Sequence, residues 1–64
     1  MNVQIGMAAL SHLSDVQELI QLGFGENARR EINFVKELLL KYPDTEVEIP
    51  QEEVDEIYLA NMKV

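Results

Sequence analysis

The most constraining feature of this sequence is an apolar stripe with the four-then-three spacing of a helix that packs against other helices. The stripe consists of Ala28, Ile32, Val35, Leu39 and Tyr42. Phe34 and Leu38 widen it, because they lie about 80–120° round the same helix if each residue turns by about 100°. One small partner helix cannot cover so broad a surface. The sequence therefore predicts contact with a second copy of the chain.

An earlier stretch predicts a helix that precedes the stripe. Its apolar residues follow the same spacing and are Ala9, Leu13, Val16 and Ile20. Gly23 and Gly25 end this helix near residue 22, and the connection that they form is short enough to make the two helices antiparallel neighbours. Asn27 is the expected amino-terminal cap of the second helix, and Pro43 closes it. The pattern thus predicts a helical hairpin, with Leu13, Val16 and Ile20 joining the stripe in its core or oligomer contact.

The carboxyl third has a different pattern. Thr45, Val47 and Ile49 alternate with acidic residues, which is typical of a short strand, and Pro50 suits the first position of a third helix. The apolar residues of that helix are Val54, Ile57, Tyr58 and Met62. Whether residues 44–64 dock on the hairpin or extend as an arm is open at this point.

The first seven residues fit two descriptions. Met1, Val3, Ile5 and Met7 alternate with Asn2, Gln4 and Gly6, which favours a strand. Ile5 also continues the stripe of the first helix, so a helical extension is an equal alternative. The fold class predicted is mainly α, with an antiparallel helical hairpin, a third C-terminal helix and an N-terminal strand left open, in an oligomeric bundle. Residues 1–64 form one domain, with a hairpin core at 1–43 and an acidic segment at 44–64.

Size and charge limit the possible partners. A 64-residue chain without cysteine has little core of its own and no disulfide to support it, which again favours oligomers. No basic leader and no apolar run of membrane-spanning length are present, so the expected location is the cytoplasm. The net charge of −7 opposes contact with nucleic acid or anionic lipid.

Most of the negative charge lies in the carboxyl third. Residues 1–43 have a net charge of −1, and residues 44–64 have a net charge of −6. The acidic residues of this segment form a possible binding face for a basic protein partner: Asp44, Glu46, Glu48, Glu52, Glu53, Asp55 and Glu56.

Catalytic and metal-binding chemistry is weakly represented. Ser11, His12, Ser14 and Asp15 include the residue types of a hydrolase triad, but five consecutive positions on one helix do not arrange them around a substrate. His12 and Asp15 are three residues apart and could supply two metal ligands, which is an incomplete site. The sequence therefore predicts no catalytic residues, no metal and no cofactor.

The strand-like start, the first helix and the turn Gly25-Glu26-Asn27 before the second helix resemble the ribbon-helix-helix repressors over residues 2–42. The resemblance implies a dimer whose outward strand residues, here Asn2, Gln4 and Gly6, read the major groove. This strand departs from the family in having no lysine or arginine. The acidic segment that follows is similar to the tails with which small antitoxins wrap a toxin.

Three functions are thus in competition. The leading hypothesis is a non-enzymatic helical module for self-assembly and protein–protein interaction, because the apolar stripe is broad and no catalytic set is evident. The second is a repressor or antitoxin of the ribbon-helix-helix kind with an acidic partner-binding tail. The third is an acidic inhibitor that imitates nucleic-acid phosphates with residues 44–56.

Overall fold

The structure, a computed structural model, describes residues 1–63 and has the predicted mainly α fold with a helical hairpin and a third helix. Its elements in chain order are β1 (Asn2–Gln4), α1 (Ile5–Gln21), α2 (Gly25–Lys41), β2 (Glu48–Pro50) and α3 (Gln51–Met62). β1 and β2 form a two-stranded antiparallel sheet at one end of the hairpin.

The turn between α1 and α2 depends on a glycine in the left-handed region. Gly23 has a φ of 86°, and its amide donates to the carbonyl of Ile20 at 3.1 Å. The amide of Phe24 donates to the carbonyl of Leu19 at 2.8 Å, which completes a Schellman motif at the end of α1. α2 then begins at Gly25 with Phe24 as its cap residue. The expectation that Asn27 caps α2 is wrong, because the helix starts earlier and Asn27 lies in its first turn.

Both descriptions of the amino terminus hold, one after the other. Residues 2–4 form a strand in which Val3 pairs with Ile49, and α1 starts directly at Ile5. The amides of Ile5 and Gly6 in the first turn of α1 donate to the carbonyls of Val47 and Thr45, at 2.9 and 2.8 Å. These amides have no partner within the helix, so the segment that leads into β2 caps α1.

The docking of α3 determines which part of α2 is deepest in the core. Phe34 and Leu38 are fully buried, together with Val54 of α3, and these two residues of α2 form the centre of its buried face rather than its margin. Ile32, a member of the predicted stripe, is 45% exposed. The reason is that α3 packs against the flank of α2 that carries Phe34 and Leu38. Residues 44–63 are thus docked on the hairpin and do not extend from it.

Gly6 gives a test of this arrangement. A Cβ atom at Gly6 would lie 3.2 Å from both the Cβ and the carbonyl oxygen of Thr45, and that oxygen accepts the hydrogen bond that caps α1. We expect Gly6→Ala to lower the free energy of unfolding by about 1–3 kcal/mol, because backbone would have to move. Gly25→Ala is the matched control. It meets open space at a helix start, and we expect it to be neutral or to stabilise by up to about 1 kcal/mol. Urea denaturation followed by circular dichroism measures both, and equal effects would contradict the close approach.

Candidate functional site

One side of the hairpin is left uncovered by α3. The contacts of α3 fall on one flank, where Tyr58 packs on His12 and Phe34, with ring centroids 5.1 and 5.2 Å apart, and Lys41 pairs with an acid of α3. Lys41 is about 180° round α2 from Ile32. We name as the hairpin face the side of α1 and α2 that carries Leu13, Ile20 and Ile32, with Val16 and Ala28 buried beside them; Val35 and Leu39 border this face and also pack in the core.

The hairpin face contains a buried row beneath half-exposed apolar side chains. Leu13, Ile20 and Ile32 expose 44%, 59% and 45% of their surface. Val16 and Val35 beneath them are buried. Of the residues that the sequence placed in the core or oligomer contact, Leu13, Ile20 and Ile32 are exposed on this face, and Val16 and Ala28 are buried beside them. Phe34, Val35 and Leu38 lie in the core, Leu39 packs against it, and Tyr42 donates a hydrogen bond to Glu53.

Carboxylates are kept away from the hairpin face. Among the described residues of α1 and α2, every acidic residue lies about 100° or more round its helix from Leu13 or Ile32. The polar neighbours at its rim are Gln17 on α1 and the cations Arg29 and Lys36 on α2, within about 60° of those two residues. No acidic position falls within this angular range of Leu13 or Ile32, although the Glu26 carboxylate reaches the rim through its ion pair with Arg29 at 2.7 Å.

A polar cluster lies on the other flank, between α1, α2 and α3. Glu31 is only 3% exposed, and its two carboxylate oxygens lie 3.1 and 3.3 Å from Nδ1 of His12. The His12 ring packs edge-on against Phe34, with centroids 4.6 Å apart, and against Tyr58. α1 and α2 run antiparallel, so residue 12 on one helix meets residue 31 on the other.

Asp15 adds a third potential ligand. One side-chain donor atom from each of His12, Asp15 and Glu31 lies within 4.8 Å of the others. A cleft of about 280 Å³ opens beside them, and its lining residues are Asp15, Glu18, Leu19, Leu22, Glu31 and Tyr58. The sequence indicated His12 and Asp15 but not Glu31. The missed signal is that Glu31 follows Ala28 by three positions and precedes Val35 by four, which puts a carboxylate on the buried face of the helix.

Tyr58 closes one side of the cluster. Burial raises the pKa of its phenol above the ordinary value, and the negative charge of Glu31, a hydrogen bond to Glu31 and the charge of Asp15 raise it further. Each of these causes disfavours the phenolate. Tyr58 therefore remains a neutral hydroxyl at the edge of the cleft over the physiological pH range.

The acidic residues of the carboxyl third do not form one uniform face. Glu53 is half-buried, accepts a hydrogen bond from the Tyr42 hydroxyl and pairs with Lys41 at 3.3 Å. The Tyr42 hydrogen bond, and then Lys41, lower the pKa of Glu53 against the opposing effect of burial. Asp44 accepts from the amide of Glu46 at 3.0 Å and so shapes the loop before β2. The acids other than Glu53 are exposed.

Comparison of the chain with protein-family models, with curated proteins and with solved structures finds no match in any of the three. Within residues 1–63, no helix combines the length and the apolar character needed to cross a membrane.

Tyr58→Phe tests the environment of the cluster. The raised pKa of Tyr58 means that the folded chain holds this proton at a pH where the unfolded chain loses it. Stability should therefore be complete below about pH 10 and should fall as pH rises towards the folded pKa. Tyr42 contributes in the same direction, since its hydrogen bond to Glu53 raises its pKa. We expect Tyr58→Phe to lose less stability than the wild type between about pH 9 and 11. Urea denaturation across this range measures the difference, and parallel losses would show that Tyr58 titrates normally.

Proposed function

We propose that this protein is a non-enzymatic self-assembly and protein–protein interaction module, and that the hairpin face binds a second copy of the chain. The observation that carries the proposal is the set of half-exposed side chains Leu13, Ile20 and Ile32, which cover a buried row on a face without acidic positions. Exposed apolar side chains that are grouped on one side of a helical hairpin are typical of contact sites.

A second copy of the chain is the binding partner that fits this face. Two antiparallel helices that both carry heptad-like apolar spacing can pack against the same surface of a copy related by a twofold axis, which gives a four-helix bundle. Each copy has a charge of −7, so association is favoured where the carboxylates are most distant. A 64-residue chain also gains from further burial, since its own core is small.

The other candidate functions find less support. The five acids of residues 44–56 other than Asp44 and Glu53 are exposed and could meet a basic protein, in keeping with both the tail and the mimicry hypotheses. The ribbon-helix-helix resemblance places Asn2, Gln4 and Gly6 on one strand, whereas β1 ends at Gln4 and pairs with β2 of the same chain. Gly6 is half-buried against Thr45, away from the position of a base-reading residue. The cytoplasm is the location proposed for a module without cysteine.

Ile32→Lys tests self-assembly through the hairpin face. Ile32 is half-exposed in the single chain, so the substitution should change the stability of one folded chain by only about 0.5 kcal/mol. It would place a charge in the centre of the proposed contact. We expect sedimentation equilibrium at micromolar concentration to give at least twice the chain mass of 7.3 kDa for the wild type and the mass of one chain for Ile32→Lys.

Leu59→Lys is the matched control, because Leu59 is 59% exposed and lies on α3, outside the hairpin face. It should sediment as the wild type does. A second readout is the melting temperature, which should rise with protein concentration for the wild type and Leu59→Lys and stay constant for Ile32→Lys. A monomeric wild type, or dissociation by Leu59→Lys as complete as that by Ile32→Lys, would refute the proposal.

A further inference from the structure

We propose that His12, Asp15 and Glu31 bind a divalent transition-metal ion such as Zn²⁺, with one protein-supplied nitrogen and two carboxylate ligands. This inference is separate from self-assembly, because the three residues lie on the flank of the hairpin that α3 covers. The cleft that opens beside them leaves room for water or another ligand on the metal.

The distances between His12 and Glu31 match those between two ligands on one metal ion. Zinc binds histidine nitrogen and carboxylate oxygen at about 2.0–2.2 Å, so adjacent tetrahedral ligand atoms lie about 3.3–3.5 Å apart. Nδ1 of His12 lies 3.1 and 3.3 Å from the two oxygens of Glu31. The carboxylate of Asp15 lies within 4.8 Å of the other two ligand atoms, and its exposed side chain has the rotamer freedom to approach a bound ion.

The charge of the cluster also favours a cation. Glu31 is nearly fully buried, and Asp15 brings a second carboxylate close to it. Among the described residues no lysine or arginine forms an ion pair with either carboxylate, and the polar partners of Glu31 are the imidazole of His12 and the hydroxyl of Tyr58. Glu31 is the buried carboxylate of the cluster, and Asp15 adds a second negative charge near it at the surface. A divalent ion would neutralise both.

The ligand types select a class of metal. An imidazole nitrogen suits zinc, copper, iron and nickel, whereas magnesium and calcium prefer sites made of oxygen alone. His12 and Asp15 are three residues apart and face the same side of α1, and Glu31 is fixed by its burial in α2. A metal ion bound through Nδ1 would take the place of the contact between this nitrogen and the Glu31 carboxylate.

The competing explanation is that His12 and Glu31 form a structural pair with no ligand. A structural pair needs only those two residues, whereas the metal site also needs Asp15. Asp15→Asn is therefore the decisive variant, because Asp15 is exposed and its loss leaves the buried pair intact. Glu18→Gln is the matched control, since it removes one charge from the same cleft wall without removing a proposed ligand.

The experiment titrates the full chain with Zn²⁺ by calorimetry and with Co²⁺ by visible absorption. We expect one ion per chain for the wild type, a loss of affinity of at least about tenfold for Asp15→Asn, and a change of less than about twofold for Glu18→Gln. Circular dichroism confirms that each variant is folded. The proposal would be overturned if the folded wild type did not bind Zn²⁺. It would also be overturned if Asp15→Asn and Glu18→Gln lost affinity equally, because this would show diffuse attraction of the ion to an acidic surface.

His12 is the only histidine in the chain, so its imidazole signals give an unambiguous second readout. Zn²⁺ should shift the His12 ring nitrogen resonances in the wild type and in Glu18→Gln, and the shift should saturate at one ion per chain. Unchanged resonances at saturating Zn²⁺ would refute the site. Ile32→Lys, with its hairpin face altered, should bind Zn²⁺ as the wild type does, so the metal site and self-assembly can fail separately.

Discussion

The packing of Phe34 between α1 and α3 is the contact on which the rest of this structure depends. Phe34 is fully buried, and its ring meets His12 of α1 at 4.6 Å and Tyr58 of α3 at 5.2 Å. All three helices thus meet at one side chain, which determines the flank of the hairpin that α3 covers. The opposite flank is left as the hairpin face, and Glu31, one turn before Phe34, is enclosed under the third helix.

The two flanks of the hairpin have different chemistry. The hairpin face has exposed apolar surface, because its half-exposed side chains lie above a buried row. Arg29 and Lys36 lie at its rim. The covered flank offers specific polar groups in a small space, where His12, Asp15 and Glu31 converge beside a cleft. Burial of apolar area drives association, whereas a buried carboxylate lowers stability unless it is matched by an opposite charge. One hairpin can therefore support assembly on one side and ligand binding on the other.

The burial of Glu31 costs the fold free energy, because its carboxylate is removed from water. An apolar residue of similar volume at this position would fill the space without the cost of removing a charge from water, and replacement of buried ion pairs by apolar residues is often neutral or stabilising. The pair of Glu31 with His12 offsets part of that cost, and the hydroxyl of Tyr58 adds a polar neighbour. A carboxylate held in such a position is pre-oriented, which is what a ligand-binding group requires.

The sequence by itself determined the hairpin, the third helix and the apolar residues of each, because local spacing, glycine at the turn and proline at the helix ends depend on near neighbours in the chain. It left residues 1–7 open between a strand and an extension of the first helix, because alternation and helical spacing overlap there. Only the tertiary structure decided that β1 pairs with β2, that α3 docks on the side of Phe34 and Leu38, and that Ile32 stays half-exposed. It alone brought Glu31 to His12 and Asp15. These outcomes depend on contacts between residues that are distant in sequence. A helix with a broad apolar surface can pack against a partner on more than one side, and here the packing of α3 selects the side.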